Sequence, residues 1–466
     1  PMARDVSDST PIGSKDELVS WISAGEKPPS AFRLGTEHEK FAFYSDDLAP
    51  VPYEGRAASG GRPAAGGIRH LLEGMQAKLG WEPIMDAGHI IGLAGVDGGG
   101  AISLEPGGQF ELSGAPVETL HETAAELAGH LRDVKAVAQE HGIGFVSLGH
   151  SPLWTRAQTP VMPKGRYKIM ANYMPKVGSR GLDMMFRTCT VQVNLDFASE
   201  ADMVRKLRVS LALQPLATAL FASSPFTEGR LNGFQSMRSE IWRDTDAARS
   251  GMLAFAFDEG MSYEAYVDWA LDVPMYFVKR GDTYHDVAGA SFRDLLAGRL
   301  AQLPGEKATI SDWANHLSTL FPEVRLKRFL EMRGADAGPP EMLNALPAFW
   351  VGLLYDPASL DAAWEIVKGW SAEERQALRD AVPREGLAAT IAGRRLREIA
   401  REVLAQSRAG LARRARRNGE GADETGFLDP LDALVAADRT VAQDLAARFE
   451  TEWDGEIAPL FTELKL

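Results

Sequence analysis

Several segments of this 466-residue chain set polar side chains two residues apart, the spacing that puts both on one face of an extended backbone. In residues 32–41 Glu37 and Glu39 stand side by side. In residues 102–113 Glu105, Gln109 and Glu111 can converge across the turn Pro106-Gly107-Gly108, and in residues 190–197 Gln192, Asn194 and Asp196 share the face opposite the apolar side chains. Residues 329–333 alternate again and bring Glu331 beside Arg333. Carboxylates gathered in one place repel unless a cation lies between them, and hard oxygen ligands select Mg²⁺ or Mn²⁺ over zinc. Glu37, Glu39, Glu105, Glu111 and Glu331 are therefore the candidate ligands. Spacing alone favours solvated strand faces, since an antiparallel sheet ordinarily turns its polar side to water.

The elements that would position these strands are mostly helices. Residues 67–80 place Ile68, Leu71, Leu72, Met75 and Leu79 at helical spacing before Gly80, and further helices fit 116–140, 201–213 and 263–270. From about residue 357 the pattern is almost wholly helical, broken near 418–426, and residues 45–66, rich in Gly, Pro and small residues, read as a surface loop or edge hairpin. No fixed-period repeat or long linker divides the chain, so one large domain is expected; its bounds, residues 14–466, are those the family resemblance described below implies. The uncharged stretch 209–227 invites a membrane reading, yet Ser210, Gln214, Pro215, Thr218 and Ser223 suit a buried helix instead.

Composition removes several classes of function. With 50 Lys plus Arg against 64 Asp plus Glu, the net charge of −14 disfavours general nucleic-acid binding. A single cysteine, Cys189, forbids an internal disulfide and a four-cysteine zinc site, and in its apolar setting it reads as a buried thiol. No Walker-type loop, His-Glu-x-x-His or Gly-x-Ser-x-Gly occurs. The glycines of Val96-Asp97-Gly98-Gly99-Gly100 suit a tight turn, and the basic run 413–417 suits a solvated helix end. The charged N-terminus lacks the apolar run of a secretory signal.

Longer motifs around these residues narrow the reading. Gly35-Thr36-Glu37-His38-Glu39-Lys40-Phe41, the stretch 105–113, Arg166-Tyr167-Lys168-Ile169-Met170, the stretch 187–196, Ser236-Met237-Arg238-Ser239, residues 270–277 and Leu330-Glu331-Met332-Arg333-Gly334-Ala335-Asp336 together resemble the plant-type glutamate–cysteine ligases, from about residue 14 to the C-terminus. The resemblance implies an α+β, glutamine synthetase-like fold: a curved, mainly antiparallel sheet of about six strands forming a funnel, surrounded by helices. It implies ATP- and Mg²⁺-dependent joining of the L-glutamate γ-carboxyl to the L-cysteine amine through γ-glutamyl phosphate, the first step of glutathione biosynthesis. Two or three Mg²⁺ ions, with Mn²⁺ possible, would offset the phosphoryl charge, and ATP is the co-substrate.

Carried over position by position, Glu37, Glu39, Glu105, Glu111 and Glu331 resemble the family's metal ligands, and Gln192 stands where more distant ligases have a metal-binding histidine. Arg238 and Arg166 resemble the arginines that hold glutamate and its reacting forms, Arg333 one that addresses ATP phosphates, and Tyr276 a tyrosine that contacts cysteine. The regulatory cysteine pairs of plant members are replaced by Ala124 with Asn344 and Val287 with Gln302, so the resemblance implies that disulfide control is lost. The expected partners are the three small substrates, with neither nucleic acid nor membrane, in a monomer or homodimer. Charge and cysteine count suit a bacterial member acting in the cytoplasm. The alternatives are a related ligase with another amine acceptor, a guanidino kinase of the same fold, or a binding regulator without turnover.

Overall fold

The longest strand, Leu34–Tyr44, organises the structure because three other strands pair with it. In this computed structural model, which describes residues 7–96 and 98–466, Phe110–Ser113 lies antiparallel along one edge of that strand's first part and Thr190–Leu195 along the other. Ile143–Val146 pairs with its last four residues. Outward on one side follow Ala101–Leu104, His89–Ala94 and Glu82–Asp86; on the other follow Leu330–Asp336 and Val324–Leu326. All pairings in this sheet are antiparallel. The antiparallel α+β expectation holds, but nine strands form the sheet where about six were expected. The extra ones are short, and Pro83 lies in the terminal strand, where a missing N–H can be spared.

Alternation gives the sheet two unlike faces. Val191, Val193 and Leu195 point into the main apolar core, with the helices Glu200–Leu220, Pro340–Leu354 and Leu396–Arg414 contributing to the same core. Glu37, Glu39, Glu111 and Gln192 take the opposite face. The helix expected over 67–80 is Ile68–Leu79, buries four apolar side chains and ends on Gly80 in the left-handed region at φ 67°. The helix Glu200–Leu220 runs through Pro215, with every residue from Val209 buried. Among the described residues no helix is long and apolar enough to cross a membrane. Beyond residue 357 helices dominate, with only the two-residue strands Thr390–Ile391 and Arg394–Arg395 between them. The loop 45–66 folds back through the bridges Arg56↔Ala65 and Ser59↔Arg62, matching the edge-hairpin reading. The glycine cluster connects paired strands, though its Asp97 and residues 1–6 lie outside the described residues. In the basic run Arg413 pairs with Asp356, Arg414 with Glu424 and Arg416 with Glu118, at a helix end as expected.

Candidate active site

Cross-strand pairing sets Glu39 directly opposite Glu111, and the turn before Phe110 brings Glu105 over both. In that turn the Gly108 N–H donates to the Glu105 carbonyl at 3.0 Å while Gly108 sits at φ 86°, a conformation that favours glycine. Oxygen atoms of Glu39, Glu105 and Glu111 all fall within 4.8 Å of one another. Burial raises all three carboxyls: Glu39 well above the usual range with repulsion from Glu105 and Glu111, Glu111 to about 8 with repulsion from Glu37 and Glu105, and Glu105 upward despite Lys164, Arg166 and Arg333. Short hydrogen-bonding side chains hold the cluster in place. Ser103 and Ser113 each donate to a Glu111 oxygen at 2.9 Å, and the Thr190 N–H donates to Glu39 at 3.0 Å.

The cluster forms one wall of an open cavity with about 850 Å³ of empty space. Glu37 also lines it, accepting from the Asn194 amide at 2.9 Å. Three arginines complete the surround. Arg166 lines the cavity from the Gly165–Tyr173 helix, and Arg333 from the Leu330–Asp336 strand donates to the Gln192 amide oxygen at 3.0 Å. Burial, then neighbouring Arg325, pushes Arg333 down to about 10. Arg238 is buried, donates to the Arg333 carbonyl at 2.9 Å, and stands on the short helix Met237–Trp242.

That helix is moored by Asp336. Its carboxylate accepts from the Ser223 N–H at 3.0 Å and from the hydroxyls of Ser224 at 2.6 Å and Ser236 at 2.7 Å, and Ser236 caps the helix. A Cβ at Gly149 would meet this carboxylate at 2.2 Å, so a bare backbone is needed beside it. Asp336→Asn puts an amide where three donors converge and is expected to lower Tm and cut kcat at least about tenfold, because Arg238 loses its mooring. Melting curves and steady-state rates check this; unchanged kinetics would sink the mooring role.

Two residues implied by the resemblance stand elsewhere. Glu331 is fully buried outside the cavity lining, ion-paired with Arg325 and, at 3.2 Å, with Lys327. Against burial, which acts the other way, Arg325 and Lys327 hold its carboxyl well below the usual range. It thus already has cations as partners. Tyr276 does not reach the cavity: its ring is buried under the Arg249 guanidinium, 3.8 Å from the ring centre, with its hydroxyl towards Asp246 at 3.4 Å. Gln192 lines the cavity, but its oxygen is engaged by Arg333. The structure adds Tyr167, whose hydroxyl donates to the Leu104 carbonyl; Gln109, which spacing already set beside Glu105 and Glu111, also lines the cavity, and its amide donates to the Met185 and Thr188 carbonyls. Glu37, Glu39, Glu105, Glu111, Gln192, Arg166, Arg238 and Arg333 are brought together.

Cys189 lies fully buried beside Thr190, its thiol pushed well above the ordinary range by burial and then by Glu39. With no second cysteine in the chain, activity is expected to be indifferent to thiol redox poise. Rates and gel-filtration volumes after oxidised or reduced dithiothreitol, removed before assay, would change little; a several-fold reversible change abolished by Cys189→Ser would contradict this.

Comparison with known proteins gives a consistent result. The family model "Glutamate-cysteine ligase family 2 (GCS2)" matches residues 33–463. The chain is 54% identical over 451 residues to the chloroplastic glutamate–cysteine ligase of Nicotiana tabacum, covering 97% of this chain and 83% of that protein. It is 53% identical over 451 residues to the chloroplastic enzyme of Arabidopsis thaliana, again covering 97% and 83%, and 53% identical to the chloroplastic ligase B of Oryza sativa subsp. japonica, covering 97% and 87%. In fold it is similar to a glutamate–cysteine ligase from Francisella tularensis solved with AMP, with a TM-score of 0.54, 12% identity and coverage of 93% and 87%. These relatives overturn the cytoplasmic expectation: all three plant proteins are named chloroplastic.

Proposed function

The chain belongs to glutamate-cysteine ligase family 2, and on that premise we propose that it joins the γ-carboxyl of L-glutamate to the amine of L-cysteine at the expense of ATP, the entry step of glutathione synthesis, as one catalytic unit over residues 14–466. The observation that carries the reading is the buried Glu39–Glu105–Glu111 cluster facing three arginines across one cavity. A carboxylate is a poor acyl donor. Transfer of the γ-phosphoryl group from ATP converts it to an acyl phosphate and leaves ADP; the neutral amine of cysteine then attacks the acyl carbon, phosphate departs, and the amine sheds a proton.

The donor set fits a hard divalent cation, since three buried carboxyls meet in one place and stay raised even with Lys164, Arg166 and Arg238 nearby. Glu39, Glu105 and Glu111, with Glu37 beside them, would hold Mg²⁺. Bound there, Mg²⁺ supplies charge neutralisation for the phosphates. Gln192 and Glu331 would join the ligand set only by exchanging the hydrogen bond from Arg333 and the pairs with Arg325 and Lys327. Arg166 and Arg238 orient the glutamate carboxylate and offset the charge of the acyl phosphate, as planar, always-charged forks can. Arg333 faces the phosphates. A contact from Tyr276 to cysteine would need the wall around Asp246 and Arg249 to open.

ADP release coupled to a spectrophotometric signal, with glutamate fixed and the amine acceptor varied, tests the reading directly. γ-Glutamylcysteine identified by mass, formed only with cysteine, ATP and Mg²⁺, is the expected result. Equal turnover with other amines would assign a broader acceptor, and ATP binding without turnover would defeat the ligase reading.

A further inference from the structure

Lys40 stands where the central strand changes partners. Residues 37–40 pair with the strand Phe110–Ser113 and residues 41–44 with Ile143–Val146, so the two neighbours diverge between Lys40 and Phe41. The last rung before that fork is Glu39 opposite Glu111, and the rung at it is Lys40 opposite Phe110, which follows the turn that carries Glu105. Alternation sends the Lys40 side chain to the rear of the sheet, away from the cavity, where it is 0% exposed. Its Nζ lies 5.4 Å from the centre of the Phe110 ring and 5.5 Å from that of Phe145, one ring from each diverging neighbour. The amino group donates to the Phe110 carbonyl at 3.3 Å and is 2.7 Å from Nε2 of His130 on the helix Leu120–Gln139. Neither partner is a carboxylate. The side chains around it, among them Phe110, Leu112 and Phe145, form an apolar cluster, so packing alone gives no reason for an amino group there.

We propose that Lys40 is a positioning residue for the carboxylate centre: held by Phe110, Phe145 and His130, it fixes the fork in the sheet and with it the Glu39–Glu111 rung and the turn that carries Glu105. This rests on the reading of that cluster as the metal centre of a ligase. Oxygen atoms of the three glutamates meet within 4.8 Å, and the rung that sets two of them sits one residue from the end of its ladder. Strand ends open more readily than strand centres unless something ties them. Towards Ser113 the ladder itself keeps the rung in register; on the other side Lys40 does so, bonding to the first residue of the neighbouring strand and to a helix behind it. Outer groups that orient ligands in this way govern metal affinity without touching the metal.

Lys40→Met in the full chain separates positioning from support of the fold, because the two roles predict opposite signs. Methionine fills the slot between the rings without a buried amino group, so melts in chelator are expected to match or exceed the wild type. Calorimetric titration with Mg²⁺ alone is expected to show affinity weakened about 10- to 100-fold, and kcat is expected to fall by a similar factor. His130→Gln keeps an acceptor for Lys40 and is expected to hold Mg²⁺ affinity within about threefold, whereas His130→Leu weakens it about tenfold. Adding His130→Leu to Lys40→Met weakens it little further, since both residues serve one clamp. Wild-type Mg²⁺ affinity in Lys40→Met overturns the assignment, whether or not the melt in chelator falls. Should Lys40→Met fail to fold by circular dichroism, the contrast between His130→Leu and His130→Gln decides, and equal affinities there overturn it. Turnover is the separate arm: a wild type that binds Mg²⁺ with the expected dependence on Lys40 but makes no γ-glutamylcysteine removes the ligase reading and leaves the clamp standing, whereas one that binds no Mg²⁺ removes the clamp.

Discussion

Glu111→Gln is expected to lower kcat by at least about three orders of magnitude and, at the same time, to make the metal-free protein more stable at pH 8. The two effects share one cause. Burial, then Glu37 and Glu105, raise the Glu111 carboxyl to about 8. A carboxyl raised on folding binds its proton more tightly in the folded state, so stability falls as pH climbs from the unfolded value near 4.5 towards about 8. Glutamine keeps the shape and can still accept from Ser103 or Ser113 without that charge, and a gain of about 1–3 kcal/mol at pH 8 is expected. Thermal melts in chelator and in millimolar Mg²⁺ separate the terms: the wild type is stabilised by Mg²⁺ and the variant little. A variant that melts lower in chelator, or that retains Mg²⁺-dependent turnover, would remove Glu111 from the metal centre.

Arg238→Lys is expected to be nearly as damaging as Arg238→Ala, with kcat/KM for glutamate down by about 30-fold to several thousandfold. The guanidinium donates one Nη to the Arg333 carbonyl while lining the cavity, so its remaining donors stay in a fixed fork that a single ammonium cannot copy. Lysine would also lose its charge more readily in a site where burial pushes even Arg238 downward. Recovery of most of the rate by lysine would mean that Arg238 acts only as a distant positive charge.

The sheet and much of the cavity were legible because alternation is a local signal. Glu37 and Glu39, and Glu105 with Glu111 across a glycine turn, could be placed on common faces from spacing, and the cross-strand register bears this out. What spacing cannot report is which partner a turn sets opposite a side chain. Glu331 alternates as cleanly as Glu37, yet Arg325 and Lys327, six and four residues earlier in the same hairpin, claim its carboxylate. Tyr276 belongs to a strong motif, but it packs under Arg249 with its hydroxyl on Asp246 and does not line the cavity. The short strands Ile143–Val146 and Val324–Leu326 escaped notice because three or four residues are too few to establish a period. Asp336, the mooring of Arg238, looked like one more acidic residue until Ser223, Ser224 and Ser236 were seen around it.

The strand Leu34–Tyr44 takes its neighbours from residues 110–113, 143–146 and 190–195, and the last arginine of the cavity comes from the strand beyond. During synthesis, Glu37 and Glu39 leave the ribosome about 300 residues ahead of Arg333, a wait of roughly 15–60 s at ordinary elongation rates. For roughly the first half of that interval, until residues 190–195 emerge, the central strand lacks the neighbour on its second edge, and afterwards the strand 190–195 itself waits with an edge open to mispairing until 330–336 arrives. A chain that stops short of Asp336 lacks the carboxylate that holds Ser223, Ser224 and Ser236 beneath Arg238. Holdase chaperones able to cover an exposed edge for tens of seconds are therefore the cellular factor to which the yield of active protein is expected to be most sensitive.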